Sequence, residues 1–444
     1  MLFMNVLEKS QKMLEKYPLC NHCLGRQFAL LGYGIDNETR GEAIKLSLLL
    51  NGHALALSKK ELGIALLKQL ATNGALDAAA EILKGLRKRA EKKRECYLCK
   101  NLFGSVNELA NKVIDSLKDY DFSTFLVGIE LPQEVEERED EFRAEFEISH
   151  GESMRSEFSR LLGREIAERT QKTVEYTNPD ITVLINPFTK QTTLQINPLY
   201  IAGKYKKLLR GIPQSKWHCK KCHGKGCEHC NWTGKMYPES VEELIAKPLL
   251  EMTEGVEVSF HAAGREDIDA RMLGAGRPFV IEVKKPRKRF LDLKKLEKSI
   301  NEYAKGKVEV VGLHLANKDA ARKLKKGETA KKSYRVIVDF DRNVSDEELA
   351  KLEEALSDVE VHQRTPRRVL HRRADKIREK HIYETNIKRV SPNRVEMMIR
   401  CQGGLYIKEL ITGDEGRTEP NVCKILGIHA TPIELDVLGV DMEE

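Results

Sequence analysis

Apolar residues recur at three- and four-residue spacing over Thr39–Leu50, Lys59–Asn73 and Ala78–Lys93, which predicts three helices early in the chain. Asn107–Leu117 and Met154–Glu168 show the same periodicity, the latter with its charges facing outward. Between them, Thr124–Leu131 reads as a strand that leads into an acidic segment. Two alternating segments, Asp180–Asn186 and Gln191–Asn197, flank the turn-forming Pro187-Phe188-Thr189-Lys190 and predict an antiparallel pair. Tyr200–Gln214 follows and ends in Gly-Ile-Pro punctuation. In the second half, strands are predicted over Val256–Ala262, Phe279–Val283, Val308–His314, Ser333–Phe340, Val395–Ile399 and Tyr406–Leu410. Asp346–Leu356 reads as a helix and Gly264–Gly276 as a loop rich in charge and glycine. Many strands with fewer helices imply a large mixed sheet, hence an α+β core. The longest apolar run, Leu46–Leu57, is broken by Asn51, Gly52 and His53 and falls short of the ~18–20 residues that a membrane span needs.

A chain of 444 residues has room for about three domains, and the patterning divides it into 1–120, 121–240 and 241–444. Hydrophobic residues at 41% and charged residues at 32% exclude a disordered or collagen-like chain. The opening residues lack the apolar core of a secretory signal, so a soluble, cytoplasmic chain is expected, and its length and charge suggest a monomer. The net charge of +7 is unevenly spread. Glu134–Glu147 holds eight acids, whereas Ile281–Ile300 carries eight Lys/Arg against three acids and Val361–Lys380 eight against two. A single charge run is usually a solvated face, but two basic blocks in one half suggest a surface shaped for a polyanion.

Eight of the ten cysteines fall into C-x-x-C pairs. Cys20/Cys23 and Cys96/Cys99 form one set, split by the 72-residue helical insertion Leu24–Glu95. Cys219/Cys222 and Cys227/Cys230 form a compact second set, with Gly224 and Gly226 relieving the turn between the pairs. Two such turns place four thiolates around one Zn²⁺ in a closed, structural site. For the first set that makes zinc a clamp on the two ends of a helical lobe. The second set resembles one copy of the zinc knuckles of DnaJ-type chaperones; a labile disulfide or dithiol pair is the alternative there, and His218, His223 and His229 are spare ligands. Cys401 and Cys423 are unpaired and read as small buried hydrophobes.

Candidate chemistry sits at Gly264-Arg265-Glu266-Asp267-Ile268-Asp269-Ala270-Arg271, which directly follows a predicted strand. Asp267 has Arg265 and Arg271 on either side, and cationic neighbours keep a carboxylate ionised as a nucleophile or base requires. Alone, the segment reads sooner as a salt-bridged turn than as a catalytic site, and Asp269 is a rival to Asp267. No P-loop and no strand-linked Gly-x-Gly-x-x-Gly fingerprint is present, so no organic cofactor is expected.

Gly-Arg-x-Asp after a strand resembles the catalytic-aspartate motif of pseudouridine synthases. Gly404-Leu405-Tyr406-Ile407-Lys408, with Leu405 where the family usually has Thr, resembles their C-terminal motif, and Lys332-Ser333-Tyr334-Arg335-Val336 their tyrosine motif. The split N-terminal cysteines, PDITVLIN and LYIAGKYKKLLRGIP, GREDIDARMLGAGRPF and RTPRRVLHRR extend the likeness to the archaeal-type, THUMP-containing tRNA pseudouridine synthases of the Pus-ten type, from Cys20 to about Leu426. The resemblance implies a C-terminal mixed-sheet catalytic domain and an N-terminal zinc-clamped, THUMP-containing RNA-binding domain. It also implies isomerisation of uridine 54 and/or 55 in the TΨC arm of tRNA. Asp267 then attacks C1′ or removes a sugar proton, Lys408 orients it, and Tyr334 stacks on the flipped base and takes part in removing its C5 proton. Tyr406, Arg265, Arg271, Arg277, Arg367, Arg368, Arg372 and Arg373 are the implied substrate contacts. Two rivals remain: an RNA methyltransferase or thiolating enzyme, which needs a glycine-rich loop absent here, and a non-catalytic zinc-containing RNA-binding protein.

Overall fold

The computed structural model describes residues 5–325, 330–371 and 373–441. The chain divides into two compact units, Met1–Asn197 and Pro198–Glu444. Among the described residues no helix is long and apolar enough to cross a membrane.

In the first unit, Asn5 caps the helix Val6–Lys16 with a reciprocal bond to Glu8. Asp36 caps Asn37–Ser58, and Lys60–Thr72 and Asp77–Gly85 complete the helical insertion between the two cysteine pairs. The last predicted helix stops at Gly85 rather than Lys93, because Lys84 to Arg94 supplies no apolar stripe beyond Leu86. The turn bearing Cys20 and Cys23 lies directly on Asn37–Ser58: a Cβ at Gly41 would come within 2.0 Å of the Asn21 carbonyl oxygen, so only glycine fits there. Lys45, buried on that helix, donates to the carbonyls of Leu19 and Gly74 and to Asn21 Oδ1 at 2.7–2.8 Å. Burial pushes it down to about 8 against the raising influence of the nearby thiols.

The same unit continues into a four-stranded sheet of order Thr173–Val174, Thr124–Ile129, Ile181–Asn186, Gln191–Ile196. The first three strands run parallel, and Ile181–Asn186 and Gln191–Ile196 form the expected antiparallel pair. Their alternating buried side chains and those of Val106–Leu117 and Met154–Thr170 share one core with the helical insertion. The acidic segment is a helix, Gln133–Glu145, whose Glu139 is buried. Glu139 accepts from Arg26 Nη1 at 2.8 Å and from the Met154 backbone N–H.

The second unit is built on one ten-stranded sheet. Its order is Thr418–Glu419, Val359–Arg364, Ile377–Ser391, Arg394–Gln402, Lys331–Phe340, Ala430–Asp441, Arg271–Lys284, Leu199–Lys207, Val308–Ala316. Glu257–Ala262 also pairs with Arg271–Lys284. The strand Arg271–Lys284 bridges the two halves: Arg271 and Met272 run parallel to Ala430–Asp441, and the remainder lies antiparallel to Leu199–Lys207. Leu199–Lys207 is thus an interior strand of this sheet, next to the edge strand Val308–Ala316, and the Cys219–Cys230 unit follows it. The sequence division places both with residues 121–240, whereas the structure places both after the break at Asn197/Pro198. Tyr406–Leu410, expected as a strand, is instead part of the helix Ile407–Thr412, which buries Ile407, Leu410 and Ile411 on one side.

Arg26 is fully buried, so removal of its carboxylate leaves an uncompensated charge. Glu139→Ala is expected to lower stability by about 3–5 kcal/mol, read as an earlier urea midpoint for the first unit.

Candidate active site and candidate metal centres

The end of strand Glu257–Ala262 delivers the loop from Ala263 to Ala270 to one wall of a cleft of about 640 Å³ in the second unit. Asp267 and Arg265 line it from that loop, Lys332 and Tyr334 from strand Lys331–Phe340, and Tyr406 and Lys408 from the opposite wall. Among the described residues, eight cations line the cleft (Arg265, Arg277, Lys332, Arg368, Arg373, Arg378, Lys380, Lys408) against two carboxylates, Glu266 and Asp267.

The loop is held from beneath. Glu266 is buried and accepts from Tyr205 Oη at 2.9 and 3.1 Å and from Arg277 Nε at 2.9 Å. Gln214 Nε2 donates to Tyr205 Oη and to the Gly264 carbonyl at 2.7 and 3.0 Å. Lys207 donates to the carbonyls of Ile212, Asp267 and Ile268 at 2.9–3.1 Å. Burial pushes Lys207 down to about 8, with Glu266 and Asp269 opposing.

Above this frame, the Asp267 carboxylate meets Arg368 Nη1 at 3.2 Å and Lys408 Nζ at 3.7 Å. Lys408 lies closer to Asp269, at 2.6 Å. Burial raises the Asp269 carboxyl, but the Lys408 hydrogen bond and charge, with Arg368, outweigh it and hold the group below its ordinary value. Arg368 stands on the turn Arg367–Val369 and gives Nε to the buried Glu409 at 2.6 Å. Burial works against the Arg368 charge, but Glu409 and Asp267 more than compensate and raise its pKa. Side-chain exposure separates the two aspartates: Asp267 is 32% exposed and Asp269 67%. Burial pushes the Tyr334 phenol well above its ordinary value, so the ring is neutral at physiological pH.

The remaining sequence candidates divide. Tyr406 packs under the Arg368 guanidinium at 5.7 Å, and Gln363 holds its backbone N–H and C=O. Arg265 lies over the Trp217 ring at 5.5 Å, and Arg373 lines the cleft. Arg367 pairs with Glu415 at 2.5 Å. Arg271 lies off the cleft, with Nε and Nη2 on the buried Asp436 at 3.0 and 2.8 Å. Arg277 is 1% exposed and committed to Glu266 and to the Ala263 carbonyl. Arg372 lies outside the described residues. Sequence reasoning missed the Arg368–Glu409 pair, Lys207, and the lysines Lys332 and Lys380 at the cleft. Only the position of Lys332, two residues before Tyr334 and so on the same strand face, was there to be read.

The cysteines assemble as paired. The Sγ atoms of Cys20, Cys23, Cys96 and Cys99 lie within 4.8 Å of one another, as do those of Cys219, Cys222, Cys227 and Cys230. All eight are free thiols. Measured separations are 3.6 Å for Cys20–Cys99, 3.9 Å for Cys219–Cys227 and 3.8 Å for Cys222–Cys230. A tetrahedral ion with metal–sulfur bonds of about 2.3 Å spaces its sulfurs at about 3.8 Å, so both tetrads fit a closed four-thiolate site. Backbone N–H groups of Gly226, Cys227 and Gly234 point at the sulfurs of Cys222 and Cys230, which spreads the thiolate charge.

The family model "Pus10, C-terminal" matches residues 200–441, and that of the archaeal Pus10 THUMP domain matches residues 109–186. The THUMP match lies within the first unit and includes PDITVLIN, whereas LYIAGKYKKLLRGIP falls in the C-terminal match and in the larger sheet. A tRNA pseudouridine synthase Pus10 of Methanocaldococcus jannaschii is 46% identical over 97% of this chain and 93% of its own. Its counterpart in Thermofilum pendens is 39% identical over 98% and 95%. Likeness to a chain of a Cbf5-Nop10-Gar1 complex is distant, with 15% identity, 46% of each chain covered and a TM-score of 0.29. Matched over more than half its length by one family model and aligned with such relatives nearly end to end, the chain belongs to the Pus10 family of tRNA pseudouridine synthases.

Proposed function

We propose that the cleft isomerises uridine to pseudouridine at position 54 and/or 55 in the TΨC arm of tRNA, with Asp267 as the reacting carboxylate. The observation that carries this reading is a half-exposed carboxylate, bracketed by Arg368 and Lys408, in a strongly cationic cleft that it shares with Tyr334. The N1–C1′ bond breaks with its electron pair leaving on uracil, the base turns, C5 bonds to C1′, and the C5 proton departs. Asp267 serves by attacking C1′ or by taking a sugar proton, and Arg368 and Lys408 orient the carboxylate for either role. Tyr334 offers a neutral stacking face. The target uridine must leave its stack, at a cost of a few kcal/mol, which cationic contacts to phosphate offset. Arg265, Arg367, Arg368 and Arg373 are the proposed contacts.

Both tetrads hold zinc in this reading, as structural ions, since four thiolates leave no open coordination position.

Three outcomes test these assignments. With tRNA transcript tritiated at uracil C5, wild type should release tritium into water, and Asp267→Asn should cut release by at least about 10³-fold while binding tRNA as before. Tight binding without release by wild type would favour a non-catalytic RNA-binding protein instead. Metal analysis of protein purified without chelator should find two zinc per chain, and Cys96→Ser should reduce this to one and lower the melting temperature; folded protein free of metal would refute the clamp. Lys332 is the third case. Burial, with Arg277 and Lys380 adding to it and Cys401 and Glu266 opposing, pushes it down to about 8. Its charge is therefore present below that pH and lost above it. Single-turnover rates should fall as pH rises through about 8, and Lys332→Arg, which stays charged, should abolish that limb.

A further inference from the structure

We infer that the Cys219–Cys230 knuckle is an RNA-gripping surface, with Trp232 as a stacking platform for an unpaired base of the tRNA. The inference rests on the activity proposed above for the adjoining cleft.

Trp232 is 73% exposed although indole is among the costliest side chains to leave in water. Its backbone is also unusual: Asn231 and Trp232 both adopt positive φ, 48° and 60°, a region that bulky residues rarely enter. The thiol cluster holds it there. Trp232 N–H donates to the Cys227 carbonyl at 2.9 Å, and the next two residues bond to the Cys230 carbonyl and sulfur. Gly226 permits the close return, because a Cβ there would come within 2.8 Å of the Trp232 carbonyl oxygen. A rigid, outward-facing indole held in a strained conformation is the kind of feature that function maintains.

Its surroundings select the partner. Lys216, Lys220, Lys221 and Lys225 are exposed on the knuckle, with Glu228 the one acid between Ser215 and Pro238. A flat aromatic face within a cationic patch matches the stacked bases and phosphates of single-stranded or looped RNA. The patch also adjoins the cleft: Trp217, at the base of the knuckle, carries the Arg265 guanidinium over its ring, and Arg265 lines the site of Asp267. Trp232 takes no part in the chemistry, so its contribution should appear in KM and not in kcat.

The test uses zinc-loaded full-length protein and unmodified tRNA transcript. The chain has two tryptophans, so a quench of intrinsic emission on tRNA binding that disappears in Trp232→Phe titrations reports stacking at this position. Trp232→Ala should weaken tRNA binding about tenfold, raising KM for tritium release with kcat unchanged. Lys220→Ala/Lys221→Ala/Lys225→Ala should flatten the dependence of log affinity on log salt by about two units. Zinc content measured on each variant should remain that of wild type, which separates loss of a contact from loss of the knuckle. Wild-type affinity in both variants, with normal turnover, would overturn this inference alone. Absence of both tRNA binding and tritium release in wild type would overturn it together with the proposed activity.

Discussion

A buried carboxylate, Glu266, fixes the loop on which Asp267 stands. An unpaired carboxylate in that position would be strongly destabilising, but Glu266 is met by the Tyr205 hydroxyl and the Arg277 guanidinium, so both of its oxygens are hydrogen-bonded. The three partners come from strand Leu199–Lys207, the loop, and strand Arg271–Lys284. Because they are neighbouring strands of one sheet, the loop inherits the stiffness of the sheet. Asp267, the next residue, lines the cleft with its carboxylate at Arg368 and Lys408. Lys207 completes the restraint by donating to two consecutive loop carbonyls, Asp267 and Ile268, which also accept from the backbone N–H groups of Ala270 and Gly211.

The cations over Asp267 are positioned with equal economy. Arg368 lies between two carboxylates, a buried one at Glu409 and a half-exposed one at Asp267. Glu409 fixes the plane of the guanidinium, so the Nη1 offered to Asp267 has little freedom left. Lys408, adjacent in sequence, reaches the same aspartate pair. On a helix, consecutive residues diverge by about 100°, so both side chains can address one region. On a strand they would face opposite sides of the sheet. The helical state of Ile407–Thr412 is therefore part of what makes the site.

How much of this was legible depended on sequence distance. The C-x-x-C pairs and the strand–Gly-Arg-x-Asp junction are local and read directly. The three motifs could be ordered along the chain, and the structure brings Asp267, Tyr334 and Lys408 to one cleft. The helix at Ile407 was misread because six residues with apolar side chains only at Ile407, Leu410 and Ile411 are too few to fix a period. Ile377–Ser391 and Ala430–Asp441 were missed for opposite reasons. The first carries charge on both faces, which masks alternation, and the second contains Pro432 and Gly439, which normally argue against a strand interior. The break at Asn197/Pro198 lacks a linker composition, so the strand that opens the second unit reads as a continuation of the first. Arg368 and Asp267 are 101 positions apart, and no periodicity records such a contact. The arginines nearest Asp267 in sequence were the natural candidates for its partners, but Arg271 is drawn off by Asp436.

The two thiol tetrads are alike in chemistry and opposite in mechanical use. The first joins turns separated by the long insertion, so an ion there closes a large loop and removes much of the freedom of an unfolded helical lobe. Three of its four cysteines are buried, and Lys45 is buried beside them, so its loss would expose a core as well as release a loop. The second joins turns four residues apart and closes almost no loop. Its stabilising effect through loop closure is correspondingly small, and what it secures is local shape: left-handed residues at His223, Asn231 and Trp232, and an indole in water. Loss of the first ion should therefore be felt as unfolding. Loss of the second should be felt at the surface, where the sheet that carries Asp267 remains intact but the knuckle above Arg265 no longer keeps its form.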